Sequence, residues 1–149
     1  MKLQLALDGM KTEEAVKLVE KVEDYIDIIE IGTPICLDAG NDAVARLKKE
    51  FPDKEVLADC KIMDGGYLEA ENAIKAGADA QAVGREPIND LKVMKECSKK
   101  AAIAVAGGIS SKTIEKYVAL NPEIVIVGSA IGNAEDPVAE AKAIKEALV

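Results

Sequence analysis

Short apolar runs recur along this chain, starting near residues 2, 25, 55, 79, 101 and 123. Stretches with apolar residues at helical spacing lie between them. Strand–helix alternation at this interval predicts repeated βα units, with a parallel sheet buried under helices. The strands expected are 2–8, 25–31, 55–60, 79–83, 101–106 and 123–127. A helix is expected from Thr12 to about Val22, with Ala15, Leu18, Val19 and Val22 on one face. A loop through Thr33-Pro34 precedes a second over 41–50, and a third over 65–76 stops at Gly77. The remaining helices run from Pro87 to about Lys99, after a cap at Ser110 or Ser111, and from Asp136-Pro137 onward.

With 149 residues and no linker or low-complexity tract, the pattern reads as a single βα-repeat domain over 1–149. Only 3% of residues are aromatic against 49% apolar, so the core must be Val, Ile, Leu and Ala. Six units fall short of the eight-stranded barrel, which usually takes about 200 residues or more. Periodicity leaves three architectures open: a doubly wound sheet, a smaller closed barrel, and a barrel completed by another chain. The formal charge of -8 argues against nucleic acid as a partner. No run approaches a membrane span and the N-terminus lacks a signal-peptide core, so a cytoplasmic location is expected. Cys36, Cys60 and Cys97 have no metal-site spacing and read as reduced thiols. The chain has no His, which excludes imidazole as its general base.

Charge at the strand ends carries the functional signal. Asp8 ends the first strand, Glu30 lies near the end of the second, and Asp59 and Lys61 bracket the end of the third, with Asp64 beyond. A carboxylate within an apolar strand is costly unless paired, hydrogen-bonded or bound to metal. In parallel α/β folds that end of the sheet holds the ligand. Asp59 and Lys61, two apart in an extended strand, would share a face. Asp8, Glu30, Asp59 and Lys61 could then converge, with the ammonium held charged as a proton donor or clamp. Glu30 and Asp59 could offer oxygens to magnesium. Ordinary ion pairs capping a core are the alternative.

Glycine supplies a second signal. Ala106-Gly107-Gly108-Ile109-Ser110 follows the fifth strand and Val127-Gly128-Ser129-Ala130 the sixth. Such loops let backbone N–H groups approach a phosphate. Arg85 is a further phosphate candidate or a solvated surface residue. Cys60 is expected to point to the helix layer, and Tyr117 to pack on an amphipathic face.

These segments resemble the 3-hexulose-6-phosphate synthase family, a relative of orotidine 5'-phosphate decarboxylase and 3-keto-L-gulonate 6-phosphate decarboxylase. The resemblance rests on Leu3-Gln4-Leu5-Ala6-Leu7-Asp8, on Ile28-Ile29-Glu30-Ile31-Gly32-Thr33-Pro34, and on Leu57-Ala58-Asp59-Cys60-Lys61-Ile62-Met63-Asp64. Val105-Ala106-Gly107-Gly108-Ile109 and Ile126-Val127-Gly128-Ser129-Ala130-Ile131 continue it. It implies a homodimeric TIM barrel, a lyase of the aldolase type that joins ribulose 5-phosphate to formaldehyde in the ribulose monophosphate pathway. The product would be D-arabino-3-hexulose 6-phosphate, formed through an enediolate supported by Mg2+. Residue by residue, Glu30 and Asp59 would hold the metal, Lys61 and Asp8 would stabilise the enediolate, and Asp64 would reach the partner's site. Gly107, Gly108, Gly128 and Ser129 would lie against the phosphate.

Against that family the chain lacks an internal stretch of about two βα units, with the junction near residues 79–85. The His that the family carries on its sixth strand goes with it. A truncated TIM-barrel-like repeat of about six parallel strands is therefore expected, with a compact form or dimerisation covering the break; a degraded relative that folds poorly is the third alternative. An open edge between the third and fourth strands would expose unpaired backbone groups. Two further readings stay open: a catalytically impaired sugar-phosphate binder, and a 3-keto-L-gulonate 6-phosphate decarboxylase-like enzyme.

Overall fold

The structure is a computed structural model that describes residues 1–61, 66–81 and 104–149. The strands are β1 (Lys2–Leu7), β2 (Ile28–Ile31), β3 (Glu55–Ala58), β4 (Ala80–Gln81), β5 (Ala104–Val105) and β6 (Ile124–Val127). The helices are α1 (Thr12–Val22), α2 (Thr33–Ala39), α3 (Asn41–Glu50), α4 (Gly66–Lys75), α5 (Glu115–Val118), α6 (Ser129–Gly132) and α7 (Pro137–Ala147). The expected strand at 79–83 is described only at Ala80–Gln81 and that at 101–106 only at Ala104–Val105. The expected helix from Pro87 to Lys99, with Arg85, Cys97 and Asp64, lies outside the described residues.

All strand pairs are parallel, and the sheet order is β4-β3-β2-β1-β6-β5. Read from one edge, this is 5, 6, 1, 2, 3, 4: each step moves to the next strand in the same direction. Right-handed crossovers taken in a constant direction put every helix on one face. The helices agree, since α1 packs on both α7 and α3, and α3 packs on α4. A doubly wound sheet, which reverses direction and covers both faces, is thereby rejected. The first and last strands pair as they do when a barrel closes, with Lys2 opposite Ile124 and Leu5 opposite Val127. The architecture is a truncated TIM-barrel-like α/β fold.

The edge expected between the third and fourth strands does not occur. Leu57 pairs with Ala80 and Ala58 with Gln81. Among the described residues the break falls one strand later, between β4 and β5.

Strand parity sorts the side chains. Leu3, Leu5, Leu7, Ile29, Ile31, Val56, Ala58, Val125 and Val127 are buried in the core cluster with the helix residues Ala15, Val19, Leu47, Ala141 and Ile144. Opposite parity places Gln4, Ala6, Glu30 and Ile126 on the concave face. Truncating one of the fully buried leucines to Ala would cost about 2–5 kcal/mol.

The amino ends of two strands share one device. Asp27, just before β2, accepts the Leu3 N–H at 2.8 Å while its own N–H donates to the Leu3 carbonyl at 2.9 Å. Asp79, just before β4, does the same with Val56, at 2.8 and 2.7 Å. Lys145 and Lys48 complete the two carboxylates. This face is built for stability.

Local departures from expectation have simple causes. Residues 23–25 form a 3-10 turn, so β2 starts at Ile28 rather than 25. Thr33-Pro34 opens a helix instead of a loop, because proline is pre-set for the first helical turn. Thr12 is the first helical residue and not the cap; the Lys11 N–H is bonded at 2.9 Å by Glu14. Neither Ser110 nor Ser111 caps a helix by its side chain, whereas Asp136 accepts from the Val138 and Ala139 N–H groups as expected at the start of α7.

Candidate active site at the carboxyl rim of the sheet

The carboxyl ends of β1, β2, β3, β5 and β6 surround a cavity of about 750 Å³. Asp8, Glu30, Asp59 and Lys61 line one side; Gly107, Gly108, Gly128 and Ser129 line the other. Eight of the nine residues singled out from sequence thus share one cavity, and Asp64 lies outside the described residues.

Glu30 sits mid-ladder opposite Ala6 and Leu57. Its side chain is buried, and the buried Gln4 donates to it across the concave face at 2.8 Å. Burial pushes the Glu30 carboxyl above the usual range. Gln4 and the Lys61 charge pull the other way, while the charges of Asp59 and Asp8 add to the rise.

Asp59 and Lys61 meet, but not by the expected route. β3 ends at Ala58, so neither belongs to the strand. The Asp59 N–H still continues the ladder, donating to the Ile31 carbonyl at 3.0 Å. Lys61 has a φ of 47°, a left-handed conformation that turns the chain back. Its ammonium then pairs with Oδ2 of Asp59. The Thr33 hydroxyl contacts both the carbonyl and Oδ2 of Asp59, at 2.8 and 3.0 Å. Asp59 is thus buried and fixed, while Lys61, though paired with it, remains over half exposed at the cavity.

Asp8 follows β1 and packs directly on Gly32. A Cβ added at Gly32 would lie 2.1 Å from Oδ1 of Asp8 and 2.4 Å from the Leu7 carbonyl oxygen. Only glycine permits this approach of the first two strand ends.

Gly107 and Gly108 take φ values of 102° and 66°, which side-chain-bearing residues rarely adopt. Near the ends of β2 and β3, Cys36 and Cys60 are partly buried against the core, as expected for Cys60. Burial, with the adjacent Cys60 thiol next in effect, pushes the Cys36 thiol up to about 12.

Sequence reasoning missed Gln4, Gly32 and Thr33. A Gln within Leu3-Gln4-Leu5 carries the same burial signal as Glu30, and its parity points to the same face. Gly32 and Thr33 stood only within a segment that carries the family resemblance and in the loop they were assigned to, with no role singled out for either.

Among the described residues no group of three or more His, Cys, Asp or Glu side chains converges as a metal cage. Magnesium commonly uses only one or two carboxylates and completes its shell with water and substrate oxygens. Glu30 and Asp59 fit that lesser demand, since their mutual repulsion is the kind a cation relieves.

Fold and cavity together define a βα-barrel protein with an acidic and lysine-bearing rim facing glycine loops. The model of the orotidine 5'-phosphate decarboxylase / HUMPS family matches residues 1–85. A 3-hexulose-6-phosphate synthase of Staphylococcus epidermidis is 35% identical over 207 residues, covering 99% of both chains. The crystal structure of 3-hexulose-6-phosphate synthase from Salmonella typhimurium superposes with a TM-score of 0.85 at 38% identity, covering 99% of this chain and 98% of that one. Orotidine 5'-phosphate decarboxylase from Pyrococcus horikoshii gives 0.81 at 27% identity, with 98% of each chain covered.

The chain belongs to the orotidine 5'-phosphate decarboxylase / HUMPS family of lyase-type enzymes, and is a shortened member resembling its 3-hexulose-6-phosphate synthases. An alignment of 207 residues on a chain of 149, covering nearly all of both, closes only if a long internal stretch of the relative has no counterpart here. No described helix is long and apolar enough to cross a membrane.

Proposed function

We propose that this protein condenses ribulose 5-phosphate with formaldehyde to give D-arabino-3-hexulose 6-phosphate. The reading is carried by one observation: Asp8, Glu30, Asp59 and Lys61 line the same cavity as the Gly107, Gly108 and Gly128 loops. The glycine loops would take the phosphate through backbone N–H groups, leaving the far end of a five-carbon sugar at the charged side. Lys61, paired with Asp59, would stabilise negative charge on the sugar oxygens as the C1 proton leaves. Asp8, on the same charged side of the rim, would accept that proton. The carbanion carbon then bonds to the formaldehyde carbon, and the former carbonyl oxygen takes a proton from Lys61 or water. Mg2+ bound through Glu30 and Asp59 would supply further charge stabilisation.

The protein would act as a cytoplasmic homodimer, its Asp64 reaching the partner's cavity. The missing stretch lies near residues 79–85, which is also where the family match ends.

The test is formaldehyde-dependent loss of ribulose 5-phosphate, assayed with purified protein and magnesium. Turnover abolished by Lys61→Ala supports the reading; none in the folded wild-type chain rejects it. The absence of His favours a second reading, a sugar-phosphate binder of low or no turnover. Saturable ribulose 5-phosphate binding without product would select it. A decarboxylase-like activity is separated by offering 3-keto-L-gulonate 6-phosphate.

A further inference from the structure

We infer that Tyr117 and Thr113 are positioning residues that set the direction of the phosphate-facing amides in the Gly107–Ile109 loop. The inference rests on the sugar-phosphate reading of the cavity and concerns the same site. The Tyr117 hydroxyl donates to the Gly107 carbonyl at 2.9 Å. The Thr113 hydroxyl donates to the Gly108 carbonyl at 2.9 Å while accepting the Ser110 N–H at 3.0 Å. In a planar trans peptide the C=O of one residue and the N–H of the next point in opposite directions. Holding the Gly107 carbonyl therefore orients the Gly108 N–H, and holding the Gly108 carbonyl orients the Ile109 N–H.

Gly107, Gly108 and Ile109 line the cavity, whereas Tyr117 and Thr113 stand outside it. Carbonyls drawn toward those hydroxyls leave the two N–H groups on the cavity side. Among the described residues neither the Gly108 nor the Ile109 N–H has a backbone acceptor. Two glycines at positive φ could turn over readily, and the two hydroxyls select one arrangement. Glu140 on α7 anchors the far end of the loop, accepting the Ser111 N–H at 2.8 Å and its hydroxyl at 2.7 Å.

Calorimetric titration with ribulose 5-phosphate and, separately, inorganic phosphate tests this on Tyr117→Phe, Thr113→Val and Thr113→Ser. Each lost hydroxyl should weaken binding of both probes about 5-fold, the scale of one hydrogen bond. Thr113→Ser, which keeps the hydroxyl, should bind within about 2-fold of wild type. Phosphate added to 15N-labelled wild-type protein should shift the Gly108 and Ile109 amide resonances. Unchanged affinity in Tyr117→Phe and Thr113→Val, equal losses in Thr113→Ser and Thr113→Val, or unmoved Gly108 and Ile109 resonances in protein that binds phosphate would overturn the inference alone. The resonance readout decides if a variant fails to fold. Wild-type protein that binds neither probe refutes the sugar-phosphate reading, and the inference with it.

Discussion

Gly32→Ala should damage this protein out of proportion to the single methyl added. The backbone at Gly32 is ordinary, with a φ of -62°, so the cost is steric and not conformational. The new Cβ would fall 2.1 Å from Oδ1 of Asp8 and 2.4 Å from the carbonyl oxygen of Leu7. Asp8 can swing aside, but the Leu7 oxygen cannot. It accepts the Gly32 N–H at 3.0 Å and extends the β1–β2 ladder. Relief requires the two strand ends to part by roughly 1 Å, an overpacking cost of about 1–3 kcal/mol with about 1 more for the weakened hydrogen bond. A total of about 2–4 kcal/mol is a large share of a small domain's stability. Urea unfolding followed by circular dichroism measures it, with Gly9→Ala as the comparison. Gly9 has a φ of 66° and nothing within 4 Å of an added Cβ, so only backbone strain of about 1–2 kcal/mol applies there. The reasoning is refuted if Gly32→Ala costs no more than Gly9→Ala.

Gln4→Leu should cost about 1–3 kcal/mol near pH 8, because it strips the one described donor from a buried carboxylate. The loss should shrink on acidification, since Glu30 already titrates above the usual range and its protonated form needs the donor less; urea titrations of wild type and variant across a falling pH series check this. Asp79 is held below the ordinary carboxylate range by Lys48 and the Val56 N–H; for Asp27 burial is the largest single effect and pushes up, but Lys145, the Leu3 N–H and Lys54 together outweigh it and hold the carboxyl below that range. Their stabilisation is complete above the unfolded carboxylate range and is lost as pH falls through the folded values. Wild type should therefore lose more stability than an Asp27→Asn, Asp79→Asn double variant between about pH 6 and about pH 3. Cys36, pushed up to about 12, should resist iodoacetamide at pH 8 in the native protein and react once it is unfolded, as read by peptide mass spectrometry.

The repeat was legible because each strand is an apolar run bounded by helical periodicity, and α1, α3 and α7 begin or end where that pattern changes. The choice between barrel and doubly wound sheet was not legible. It depends on whether β6 joins β1 or an outer edge, and the alternation of strands and helices is the same in both cases. The charged half of the site was visible because Glu30 and Asp59 interrupt apolar runs at a cost that demands a partner. Lys61 was placed correctly for the wrong reason: the strand stops at Ala58, and a left-handed turn does what an extended strand was expected to do. The supporting residues were invisible for a general reason. Gln4 and Thr33 act through contacts with other strands, whereas Thr113 and Tyr117 act on loop carbonyls five and ten residues back, and the side-chain chemistry of all four is ordinary in the segments that carry them.

The central claim is that one rim gathers the groups needed to enolise a phosphorylated ketose. Proton NMR of ribulose 5-phosphate in D2O with the magnesium-supplemented protein and no formaldehyde tests it most directly, because it isolates C1 proton removal from carbon–carbon bond formation. Deuterium should replace a C1 proton in the presence of wild type and not of Lys61→Ala. A C1 signal that persists undiminished with folded, sugar-phosphate-saturated wild-type protein would contradict the account.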